Sequence, residues 1–129
     1  MDFDIPPRRG YWEPNADVVW DEAHGVLVVK VEVPGCDPAS LRVSVDGRRL
    51  LIEGRRADTT HARSATFLQK EIASGNFFKQ LHLPAAVVDE QSAATYADGM
   101  LSILLPLADV EYIPATRTQV HLIIKRILV

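Results

Sequence analysis

Short runs of alternating apolar and polar residues, punctuated by Pro-Gly and Asp-Gly pairs, constrain this chain more than any other feature. In GVLVVKVEVPG, residues 25–35, Leu27, Val29, Val31 and Val33 alternate with Val28, Lys30 and Glu32. Successive side chains of a strand point to opposite faces, so this run predicts a half-buried strand closed by Pro34-Gly35. Leu41, Val43 and Val45 repeat the pattern, and Leu50, Ile52 and Glu53 follow after Asp46-Gly47. Asp-Gly between two alternating runs predicts a hairpin whose two turn residues both adopt positive φ. ATFLQKEI, residues 65–72, predicts a short strand, and Gly75 opens a further run through Phe77, Lys79, Leu81 and Leu83. Residues 92–97 and MLSILLP, on either side of Asp98-Gly99, predict a second hairpin. Seven or eight short strands without a long helix predict an antiparallel β-sandwich.

Composition narrows the function. At 129 residues the chain fits one domain with a substantial core. No apolar run reaches the ~18–20 residues of a membrane span. The opening MDFDIPPRRG lacks the charged-then-apolar layout of a signal peptide. With one cysteine, Cys36, no internal disulfide forms, and the expected compartment is the reducing cytoplasm. A net charge of -3 argues against a nucleic-acid partner, which requires a concentrated basic face.

Catalytic constellations are not legible. His24, His61, His82 and His121 lack the short spacing that brings two imidazoles to one metal. Cys36 precedes Asp37, whose carboxylate disfavours a thiolate, so a small buried hydrophobe is the expectation. Asp21-Glu22 and Asp89-Glu90 read as solvated turn charges, and the doublets Arg8-Arg9, Arg48-Arg49 and Arg55-Arg56 as surface charge. There is no nucleophile elbow, phosphate-binding loop or dinucleotide fingerprint. The expectation is a non-enzyme without cofactor or metal.

Several landmarks stand in one order. W-E-P-N-A-D-V at 12–18 leads to V-x-V-E-V-P-G at 29–35, then L-x-V-x-V-D-G at 41–47 and L-x-I-x-G-x-R at 50–56. F-x-x-x-L-x-L-P at 77–84 and A-x-Y-x-D-G-M-L-S-I-L-L-P at 94–106 complete the set. This order resembles the α-crystallin domain of the small heat-shock proteins. The resemblance implies an all-β, immunoglobulin-like antiparallel sandwich of seven to nine strands at 12–107, with a short arm at 1–11 and an extension at 108–129. It further implies an ATP-independent holdase that forms homodimers and higher homo-oligomers and keeps partly unfolded proteins from aggregating. A related alternative is a CS-domain co-chaperone, an adaptor sandwich without holdase activity of its own.

The resemblance also assigns sites. The loop at 57–72 would exchange a strand with the dimer partner, with Phe67 at its aromatic start. Glu71 would pair across the dimer with Lys79, where the family usually has arginine; lysine keeps the charge but loses the planar two-pronged contact. The family ends in an Ile-x-Ile or Ile-x-Val plug, which falls here on Ile127 and Val129, with Leu122-Ile123-Ile124 as a second candidate. The accepting groove would lie between the strand bearing Leu41, Val43 and Val45 and the strand bearing Ala94 and Tyr96. Phe3, Ile5 and Tyr11 are the arm's candidate client contacts. The final ten residues, VHLIIKRILV, contain seven apolar ones, so the tail requires cover, either on its own domain or on a neighbour. Val120, Ile123, Ile124 and Ile127 also fit a helix face, but β-branched content favours an extended strand.

Overall fold

The computed structural model describes residues 10–58, 63–108 and 118–124. Nine strands run through them: β1 (Ala16–Asp21), β2 (Val26–Glu32), β3 (Arg42–Asp46), β4 (Arg49–Arg56) and β5 (Gly75–His82), then β6 (Ala93–Ala97), β7 (Met100–Pro106), β8 (Thr118–Gln119) and β9 (His121–Ile124). A five-stranded sheet has the order β1-β2-β7-β6-β9, and a four-stranded sheet the order β5-β4-β3-β8. Neighbours are antiparallel except β6 and β9, which run parallel. This is the all-β sandwich that the alternating runs predict.

The core forms where the inner faces meet. Leu27, Val29 and Val31 of β2 join Leu101, Ile103 and Leu105 of β7, facing Val43, Val45, Leu50, Ile52 and Phe77 of the other sheet. Each such side chain contributes about 1.5–3 kcal/mol on burial. Leu51 and Phe78 are each one residue out of phase with this set and form a separate small cluster.

The two hairpins differ in a way the sequence does not announce. Between β6 and β7 the two-residue loop is Asp98-Gly99, with φ of 54° and 76°, as an Asp-Gly turn demands. Between β3 and β4, Asp46 pairs with Arg49, so the loop is Gly47-Arg48. Only Gly47 has positive φ there, at 61°. The expected Asp46-Gly47 turn is thus displaced by one residue, because Asp46 is drawn into the ladder. The expected strand at 65–72 is also not formed within the chain. β4 and β5 pair with each other over eight residues, so the loop joining them finds no partner strand beside its own hairpin.

Gly54, inside β4, marks the closest packing. A Cβ there would lie 2.3 Å and 2.5 Å from Cε2 and Cζ of the Phe77 ring, and 2.8 Å from Cδ2 of Leu41. Both neighbours are buried, so neither moves freely. Gly54→Ala is expected to destabilise the domain by about 1–3 kcal/mol, measured as a lowered urea midpoint at unchanged slope.

Candidate functional site: the groove and edges of the sandwich

Leu41, Val43, Val45, Ala94 and Tyr96 all belong to the main buried core cluster of the sandwich. Val120 belongs to the same cluster and is only 4% exposed. The chain around it serves both sheets. β8 extends the four-stranded sheet, with Ser44 opposite Gln119 and Val45 opposite Thr118. The Val120 N–H donates to the Val43 carbonyl at 3.0 Å. β9 then extends the other sheet, with Ala94 opposite Leu122 and Tyr96 opposite Ile124. One short segment therefore crosses from one sheet to the other and lies on the chain's own domain. Tyr96 is fixed from beneath: its hydroxyl donates to the Val33 carbonyl at 2.7 Å, and burial raises its pKa.

At the opposite end of the five-stranded sheet, β1 pairs only with β2 among the described residues. Val18, Val19 and Trp20 are each about half exposed on it. The loop between β4 and β5 carries a second apolar surface: Phe67 is 49% exposed, Leu68 98% and Ile72 75%. Lys70 organises this loop locally. Its ammonium lies 4.9 Å from the Phe67 ring centroid, donates to the Ile72 carbonyl, and is 3.8 Å from the Asp58 carboxylate. Glu71 accepts a hydrogen bond from the Gln69 side-chain amide. Within the chain Lys79 pairs with Glu13, at 3.2 Å, rather than with Glu71.

Trp12 docks the arm's junction on the outer edge of β5. Its N–H donates to the Asn76 carbonyl and its carbonyl accepts from the Phe78 N–H. Its ring packs at a tilt on Phe77, 5.3 Å between centroids. Tyr11, just before it, is 43% exposed. Arg56, read from sequence as surface charge, instead lies against Trp12 and is only partly exposed. The available signal was its place two residues after a glycine at the end of an alternating run. Phe3, Ile5, Ile127 and Val129 lie outside the described residues.

The class of this two-sheet sandwich, with its last described strands on both sheets and an exposed loop between β4 and β5, follows from its relatives. The model of the Hsp20/alpha crystallin family matches residues 19–121, and the chain belongs to that family. A 17.4 kDa class I heat shock protein of Arabidopsis thaliana is 34% identical over 93 residues, covering 71% of this chain and 60% of that protein. The small heat shock protein C4 of Rickettsia felis is 30% identical over 93 residues, covering 72% of this chain and 56% of that protein. The chain thus spans less than two thirds of the length of these relatives. Among solved structures, a small heat-shock protein from Xylella fastidiosa superposes with a TM-score of 0.65 at 27% identity, covering 78% of this chain and 91% of the other. The hspA from Xanthomonas axonopodis gives 0.67 at 25% identity, covering 77% and 97%.

Among the described residues no group of three or more His, Cys, Asp or Glu is placed to hold a metal ion, and no helix is long and apolar enough to cross a membrane. Cys36 is buried in the core cluster. Burial pushes its thiol above the ordinary range, and the nearby Arg56 charge only partly opposes this. The folded chain therefore keeps the thiol proton where the unfolded chain begins to lose it, and this group costs stability as pH rises through the thiol range. Cys36 is expected to react slowly with a maleimide at pH 8 and rapidly once the chain is unfolded in urea. Rapid labelling of the folded chain would contradict the buried, protonated thiol.

Proposed function

We propose that this chain is an ATP-independent holdase that binds partly unfolded proteins through apolar surfaces, working as a homodimer that assembles further by tail-in-groove contacts in the cytoplasm. The observation that carries this reading is the pair of apolar surfaces exposed among the described residues: the β1 edge with Val18, Val19 and Trp20, and the loop with Phe67, Leu68 and Ile72. An exposed strand edge pairs readily with another chain. In this reading residues 65–72 of a second copy add to β1, which supplies the ladder partner the loop lacks at home. Glu71 of that loop then competes with Glu13 for Lys79. Such exposed pairs contribute about 0–1 kcal/mol, so strand pairing and apolar burial carry the dimer.

The groove works by exchange. Residues 118–124 lie on their own domain, and in this reading the terminal Ile127 and Val129 of a neighbour compete for the same place. Two aliphatic side chains gain roughly 3–6 kcal/mol gross on burial, much of it offset by ordering the tail. A single tail holds weakly and leaves often, while many tails in a closed assembly hold through effective concentration. An assembly of this kind is stable yet exposes groove and loop as its subunits exchange. A higher-order form has a precedent in the Xylella fastidiosa relative, described as having a distinct high order structure.

Light scattering from a heat-labile client protein in ATP-free buffer tests the function. The chain at near-stoichiometric concentration is expected to suppress scattering; undiminished scattering with the domain folded would overturn the holdase reading. Replacing Ile127 and Val129 together by alanine is expected to lower the assembly mass in sedimentation while the thermal midpoint holds. Unchanged mass would assign the groove to residues 118–124 alone.

A further inference from the structure

Arg56 is the last residue of β4, and one guanidinium there joins three separate stretches of chain. Its Nε and Nη2 both donate to the Ala73 carbonyl, at 2.9 Å and 2.7 Å. Its Nη1 donates to the Pro34 carbonyl, at 3.1 Å. Its face lies 4.2 Å from the centroid of the Trp12 ring. Trp12 is itself held, because its indole N–H donates to the Gly75 carbonyl at 3.0 Å. All three guanidinium nitrogens and one planar face are thus engaged.

The positions of these partners matter more than their number. The loop between β4 and β5 begins immediately after Arg56, and Ala73 lies where it returns to β5. Arg56 therefore ties the start of the loop to its end, just outside the last ladder pair, Arg56 opposite Gly75. Closing the base restrains the loop at its two ends, which lowers the entropy lost when residues 65–72 are ordered against another chain. The cleft above the clamp is lined by Gly35, Phe67, Glu71 and Ile72, so the base and the exposed apolar residues share one surface. Lysine in place of Arg56 keeps the charge but offers neither the fork of donors nor the plane that stacks on an indole.

We infer that Arg56 is the positioning residue of the dimer-forming loop, and that through Trp12 it couples the junction of the N-terminal arm to that loop. This rests on the reading that residues 65–72 enter the dimer. Arg56 holds the loop's base at the angle from which Phe67, Leu68 and Ile72 project, and a displaced arm loosens the same base.

The test uses the full chain, with dimer dissociation followed by sedimentation on dilution and backbone hydrogen exchange followed peptide by peptide. Arg56→Lys is expected to raise the dimer dissociation constant about tenfold and to speed exchange in residues 63–74, with exchange in β2 and β7 unchanged. Trp12→Leu is expected to act in the same direction on the same peptides, and it keeps the test available if the Arg56 variant folds poorly. A wild-type dimer constant in Arg56→Lys, or a weakened dimer with loop exchange unchanged, would overturn the positioning role. Loop exchange unmoved by Trp12→Leu would overturn the coupling to the arm. Phe67→Asp separates the two layers: a dimer indifferent to it removes the loop from the dimer, whereas a dimer that it weakens but Arg56→Lys does not leaves the loop's role standing and removes that of Arg56.

Discussion

Two sheets packed face to face bury their apolar rows but not their edges, and the unpaired N–H and C=O groups of edge strands govern the rest of this structure. The edges are not treated alike. β8 and β9 cover β3 and β6, and the Trp12 backbone bridges to the outer side of β5 at Phe77. Among the described residues β1, like the outer sides of β8 and β9, has no covering segment, and the apolar side chains Val18, Val19 and Trp20 of β1 are half exposed.

The same constraint explains how a rigid core supports exchangeable contacts. Leu50, Ile52 and Phe77 are essentially without exposure, and Gly54 has no room for a methyl group between Phe77 and Leu41. The end of β4 is therefore a firm base from which Arg56 can reach Ala73, Pro34 and Trp12. The ladder between β3 and β8 has only two residue pairs, and Val120 beside it is buried. Contacts built on one or two side chains and a short ladder open at low cost, whereas the core beneath them opens only with the whole domain.

Much of the sandwich was legible because alternation reports burial directly. β2, β3, β4 and β7 lie where Val, Leu and Ile fall at every second position, and β6, Ala93–Ala97, is placed by its Asp98-Gly99 turn into β7. Register was less legible. Asp46 could close the ladder or enter the turn, and the pairing with Arg49 decided it. The strand expected at 65–72 is not formed within the chain for a related reason: its residues suit a strand, but a strand exists only with a partner. Arg56 looked like ordinary surface charge because a sequence does not show that Pro34, Ala73 and Trp12 converge on one guanidinium.

By itself the sequence determined the fold class, the positions of most strands, the lack of a recognisable catalytic motif and the family, because these depend on local alternation, turn chemistry and ordered motifs. Only the tertiary structure decided that Val120 joins the core beside Val43, that Lys79 turns to Glu13, and that Arg56 closes the base of the exposed loop. Those contacts join residues distant in sequence across two sheets. Their choice of partner is fixed by the geometry of packing and not by any pattern the chain carries along its length.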